Sequence, residues 1–313
     1  MRVLLDCDVQ RVLSMADAVA AMRSVLAARA AGDLVSPPRD GFRAGEVGLR
    51  WTPGALPGWL GLRLYLTGVA GEDQVTALWR RDGSLEAIAV GSWLGQLRTG
   101  ALGGVAMDLL ARPDARVLGL IGFGAQAWMQ LAAAQVVRPL ERVLVYRRDA
   151  AQLAADAARA ATVFGLPVEP APSAEAVARA ADILVTATRA EQPVLLADWL
   201  APGVHVNALG PKSRHAHEMG LDVFGRAALV ASDVPEQYRR EPDFLLHGTP
   251  HLDRIEDLAT ASAAGRLQNP EAVSLFLSHG LPGSEVALLA AAAEAAADAG
   301  VGTVLPTPGG APR

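Results

Sequence analysis

The sequence predicts an α/β chain: a doubly wound parallel sheet of the kind that binds dinucleotides, joined to a second α+β domain. Three observations predict it. Residues 117–121 form a short apolar run that enters a Gly122-Phe123-Gly124-Ala125-Gln126-Ala127 turn, and a helix-forming segment follows. From residue 117 onward strand-length apolar runs alternate with helical ones, the rhythm of a parallel sheet with helices on both faces. Between 34 and 92 short apolar runs are instead separated by Pro and Gly, the texture of a different sheet with tight turns.

The elements follow in chain order. Residues 14–32 read as a helix that Ser14 caps and Gly32 ends, with Met15, Val19, Met22 and Leu26 at near-helical spacing. Strands are expected at 47–51, 59–66, 75–79 and 85–90, with a hairpin turn at 80–84. A helix at 101–110 stops before Arg112-Pro113. Further strands are expected at 117–121, 142–146, 167–169, 183–188, 204–209 and 228–231, with helices at 126–137, 150–163 and 173–179. An Ala-rich helix at 282–299 returns to the first domain, and the Pro/Gly-rich tail 303–313 is expected to be loose. The domains are therefore 1–115 with 280–313, and 116–279.

The bulk properties narrow the function classes. The chain has 313 residues, enough for two domains. Its net charge is −5 and it has no Lys/Arg block, which argues against a nucleic-acid partner. No apolar run approaches the roughly 20 residues of a membrane span. The start lacks a leader-like layout, and the lone Cys7 excludes an intrachain disulfide, so a cytoplasmic protein is expected.

The turn at 122–127 suits a dinucleotide pyrophosphate. Gly122 permits unusual backbone angles, Gly124 lets phosphate approach the backbone, and Ala125 and Gln126 open the helix with free N–H groups. An acid ending the second strand selects NAD, whereas arginine there suits the 2′-phosphate of NADP. This chain places Arg147 and Arg148 there, with Asp149 next, so NADP(H) is preferred and NAD(H) is possible.

Several segments carry a family resemblance. Leu97-Arg98-Thr99-Gly100-Ala101, Ala111-Arg112-Pro113-Asp114-Ala115, the 119–127 turn, Ala181-Asp182-Ile183-Leu184-Val185-Thr186-Ala187-Thr188 and Pro202-Gly203-Val204-His205-Val206-Asn207-Ala208-Leu209-Gly210 together resemble the ornithine cyclodeaminase/mu-crystallin family. The resemblance implies a homodimer formed through the first domain. It also implies hydride transfer between a nicotinamide and the α-carbon of an amino or imino acid. It makes Arg98 and Arg39 carboxylate clamps and places Arg98 and Thr99 near the cofactor. It makes Thr186, Thr188, Leu209, Gly210 and Ser278 cofactor-binding, with Ser278 in a turn near the nicotinamide.

Two departures from the family pattern bear on the substrate. A strand lysine that contacts substrate and shuttles protons is Arg63 here, a poor acid or base that can still bind carboxylate. The acid expected after Gly210 is missing: the chain reads Pro211-Lys212-Ser213-Arg214-His215, and the next carboxylate is Glu218. His215 or Lys212 is then a candidate proton donor, and a small anionic substrate is favoured over ornithine. His215 and His217 read as loop residues, and no metal is expected. Glu285 stands where the family often has Asp. The leading expectation is an imine reductase or amino-acid dehydrogenase. The alternatives are ornithine cyclodeamination, a lyase reaction, and NADPH binding without turnover.

Overall fold

In the computed structural model, which describes residues 1–69, 73–264 and 269–306, the chain divides into two units, 1–98 with 281–313, and 99–280. The first begins with β1 (Arg2–Leu5), α1 (Asp6–Val12) and α2 (Met15–Ala31). Ser14 and Asp17 cap α2 reciprocally, and Gly32 ends it at φ 79°. Next come β2 (Asp40–Ala44), β3 (Val47–Leu56), β4 (Trp59–Thr67), β5 (Val75–Arg80) and β6 (Leu85–Val90), then α3 (Trp93–Leu110), which crosses the division between the units.

The second unit contains β7 (Val117–Ile121), α4 (Ala125–Val137), β8 (Arg142–Tyr146), α5 (Ala150–Phe164), β9 (Val168–Pro170), α6 (Ala174–Ala180), β10 (Ile183–Thr186), β11 (His205–Ala208), α7 (Leu221–Arg226), β12 (Leu229–Ser232), α8 (Pro235–Arg240), β13 (Ile255–Asp257), α9 (Leu258–Ala264) and β14 (Ser274–Leu277). The chain then returns to the first unit as α10 (Ser284–Asp298) and β15 (Thr303–Val304).

The first unit's sheet has the order β15-β1-β6-β5-β4-β3-β2 and is antiparallel except where β1 runs parallel to β6. α10 packs across β3–β6 and against α1 and α2. It lies so close that a Cβ on Gly54 would come within 2.3 Å of the Gly283 Cα. Sequence reading missed β1 and β2, which are only four and five residues long, and the Thr303–Val304 segment is not loose but pairs with β1. Residues 307–313 of the tail lie outside the described residues.

The second unit's sheet is wholly parallel, in the order β13-β12-β14-β11-β10-β7-β8-β9. Its two faces are covered separately by alternate residues of each strand. Leu118, Leu120, Val143, Val145, Ile183 and Val185 face one core with α4 and α5, while Ile121, Leu144, Leu184 and Val206 face the other with α6 and α7. The division falls at 98/99 rather than 115/116 because α3 is one continuous helix whose second half belongs to the second unit: Met107 and Ala111 sit in its core. Among the described residues no helix is long and apolar enough to cross a membrane.

Candidate functional site

β7 delivers the chain to a turn that only glycine fits. Gly122 has φ 89°, and a Cβ there would lie 2.4 Å from the Ala187 carbonyl oxygen. Gly124 is the N-cap of α4, and a Cβ on it would meet nothing within 4 Å, so the space above the helix start is open. The first-turn N–H groups of Ala125 and Gln126 have no intrahelical acceptor. Gln126 Oε1 is buried with no hydrogen-bond partner among the described residues. A cavity of about 850 Å³ is lined by Gly122, Phe123, Gly124, Tyr146, Arg147 and Arg148, among others. An open helix start, an unpartnered amide oxygen and a roomy cavity fit a dinucleotide.

At the end of β8, Arg147 is held by Asp156 at 2.7 Å and Gln152 at 2.8 Å. Asp149 caps α5 by accepting the Gln152 N–H, so the acid nearest this strand end has a structural task. Arg148 is exposed and has no ion-pair partner among the described residues.

Glu218, missed as a functional residue in the sequence, organises the ends of β10 and β11. Its carboxylate is 1 % exposed and accepts from the Thr186 hydroxyl (2.7 Å), the Thr188 N–H (2.6 Å) and hydroxyl (2.7 Å), and the Gly210 N–H (2.8 Å). The donors of Thr186, Thr188 and Gly210, residues the resemblance makes cofactor-binding, turn to Glu218 because a buried carboxylate must be satisfied. The Leu209 N–H likewise bonds the Thr186 carbonyl.

In the first unit, arginines converge on one acid. Glu285, at the start of α10, lies 3.1 Å from Arg63 Nη1 and 3.0 Å from Arg98 Nε, both through Oε1. Arg63 also donates twice to Gln74 Oε1 and sits 4.3 Å over the Tyr65 ring. Burial pulls the Arg63 guanidinium below its ordinary value, Glu285 opposes this, and the charges of Arg98 and Arg39 add to the lowering. Burial alone would raise Glu285, but Arg98 and Arg63 hold its carboxyl below the usual range. Two buried guanidinia against one carboxylate leave an excess of positive charge suited to an anion.

Lys212 and His215 separate. His215 is exposed, whereas Lys212 is half-buried, and its Nζ donates to the carbonyls of Gly210 (2.9 Å) and Ser278 (3.1 Å). Ser278 thus contributes its carbonyl to the lysine. The Thr99 carbonyl accepts from Gln130 Nε2.

Other motif residues are structural. Asp182 accepts the N–H groups of Arg116 and Val117 at the start of β7 and pairs with Arg112. Asn207 Nδ2 donates to the Gly103 carbonyl and Gln130 Oε1, and its Oδ1 lies 2.8 Å from His205 Nε2, which ties α3 and α4 to β11.

Three similar proteins frame this geometry. L-lysine cyclodeaminase of Streptomyces rapamycinicus is 32 % identical over 310 residues, covering 89 % of this chain and 88 % of that protein. The structure of Thermococcus litoralis Δ1-pyrroline-2-carboxylate reductase in complex with NADH and L-proline superposes with a TM-score of 0.87 at 26 % identity, covering 97 % of this chain and all of that one. An archaeal alanine dehydrogenase dimer with bound NAD superposes with a TM-score of 0.86 at 25 % identity, over 97 % and 98 % of the two chains. The model of the ornithine cyclodeaminase/mu-crystallin family matches residues 68–300, and the chain belongs to that family.

Proposed function

We propose that the protein is an NAD(P)H-dependent oxidoreductase that interconverts a small imino acid and the corresponding amino acid. The observation that carries this reading is the Gly122–Gly124 turn, open above the start of α4 and facing a dinucleotide-sized cavity. Bound nicotinamide would supply or accept the hydride at the substrate α-carbon. The residues that would hold the dinucleotide are the first-turn N–H groups of α4, the Gln126 amide and the β8-end arginines. Arg148, exposed and without an ion-pair partner among the described residues, would meet a 2′-phosphate, which supports NADP(H) over NAD(H).

Substrate recognition rests on Arg63, Arg98 and Arg39. Glu285 and Gln74 hold the first of these guanidinia in place, so little ordering remains to be done when a carboxylate binds. Arg63 stays charged and would bind anions rather than move protons. The cyclodeaminase reading needs an acid for a second substrate ammonium. Glu218, the first carboxylate after Gly210, already accepts four hydrogen bonds and does not offer one.

A homodimer is supported by the archaeal neighbour's dimer and by an apolar hollow on the first unit's sheet, lined by Val35, Pro53, Ala55, Leu60 and Trp79. The lone Cys7 fits a cytoplasmic setting.

The test is a turnover assay with NADPH and NADH against cyclic imino acids and against 2-oxo acids supplied with ammonia or methylamine. The expected result is cofactor oxidation matched by amino-acid formation. Saturable NADPH binding with no turnover across the panel would instead support a binding protein, and robust proline formation from ornithine would support the lyase reading.

A further inference from the structure

The chain contains 27 arginines and a single lysine, Lys212. Arginine serves every other cationic position, including all the buried ion pairs. The exception lies in the second unit, beyond the C-terminal ends of β11 and β14, the strands whose following residues Gly210 and Ser278 supply the carbonyls that hold it. Open parallel sheets bind their ligands at this edge, and these strands lie on the opposite side of β7 from β8 and its arginines, in the half where a nicotinamide would extend.

From this geometry we infer that Lys212 is the proton-transfer residue, exchanging a proton between its Nζ and the substrate nitrogen. The inference rests on the imine/amine reading given above. Two of the three ammonium hydrogens are committed to carbonyls, and the third has no partner among the described residues. The acids that face the lysine come from separate segments: Glu218 after β11, Asp233 after β12 and Glu241 after α8. The other titratable groups nearby are already engaged. Tyr238 donates to the same Ser278 carbonyl, His279 pairs with Glu241 at 3.2 Å, and Asp233 accepts the N–H groups of His279 and Gly280. Burial lowers the ammonium to about 8 against the pull of the three acids, into a range that arginine cannot reach.

The step balances as a proton transfer. In the reductive direction the imine nitrogen lone pair takes a proton from Nζ, an N–H bond forms as an Nζ–H bond breaks, and the neutral lysine regains its proton from solvent. In the oxidative direction the neutral Nζ takes a proton from the substrate ammonium. Reduction should therefore slow as pH rises through about 8, and oxidation should quicken over the same range.

A single lysine makes the test direct. Protein labelled with 15Nζ-lysine carries one side-chain amine signal. It should titrate near pH 8, well below an ordinary lysine, and it should shift when NADPH and pyrrole-2-carboxylate, a planar carboxylate analogue of a cyclic imine, are added together. The kinetic arm compares the wild type with Lys212→Arg, which keeps the charge and can keep the carbonyl bonds. That variant should bind NADPH with unchanged Kd yet lose kcat by 100-fold or more, together with the limb near pH 8. Lys212→Cys in a Cys7→Ser background, aminoethylated to restore an amine, should recover the rate and the limb, whereas a merely structural tether would not bring back the limb. An ordinary lysine titration unmoved by ligands, or a Lys212→Arg enzyme with full kcat and an intact limb, would overturn the assignment while leaving the function standing. A wild type without turnover on any substrate would overturn the function and this role with it.

Discussion

At the scale of single residues, what a ligand can meet depends on which charges are already spoken for. Arg147 is spent on Asp156 and Gln152, so the proposed preference for NADP(H) rests on Arg148. Arg148→Ala should raise the Kd for NADPH about tenfold, the worth of a lost charge-assisted contact, and leave NADH binding within about twofold; fluorescence titration of both cofactors measures it. Glu285 is the sole acid between two buried guanidinia among the described contacts. Glu285→Gln should cost about 3 kcal/mol of stability, because removing one partner leaves buried charge uncompensated. Denaturant melts read this directly, and an unchanged midpoint would mean that the arginines relax into solvent.

At the scale of elements, Glu218 stitches the exits of β10 and β11. Its four donors come from Thr186, Thr188 and Gly210, 8 to 32 positions before it, so no local motif links the acid to them. Glu218→Ala should lower stability by about 3 kcal/mol and weaken NADPH binding as well, since four buried or part-buried donors lose their acceptor; urea melts and cofactor titration of the same variant check both effects. What was legible in the sequence was local. The capping box of α2, the αL glycines ending α2 and α5, and the Gly122 turn each follow from a few adjacent residues. The alternation that defines the parallel sheet was also legible. β14 was not, because four buried residues after a loop carry no periodicity, and its place between β11 and β12 is a crossover that no local pattern encodes. The arginine cluster was named residue by residue, but the acid that organises it arrives from a helix 222 positions after Arg63.

At the scale of the whole molecule, buried polar groups set the response to pH. Burial lowers His205 to about 4 from 6.5, so the native state refuses a proton that the unfolded chain accepts between those values. Stability should therefore fall as pH drops through that window, by up to about 1.4 kcal/mol per unit from this residue. His205→Gln should flatten that part of the curve, and thermal melts that span this window on both sides test it. The central claim is that a dinucleotide site and an arginine-lined anion site belong to one imine-reducing enzyme. Steady-state oxidation of NADPH with Δ1-pyrroline-2-carboxylate and its six-membered analogue tests that claim most directly. The account predicts saturable turnover that yields one amino acid per NADPH and that falls sharply in Arg98→Ala. Turnover undiminished in Arg98→Ala, or no oxidation of either reduced cofactor with any imino acid offered, would contradict it.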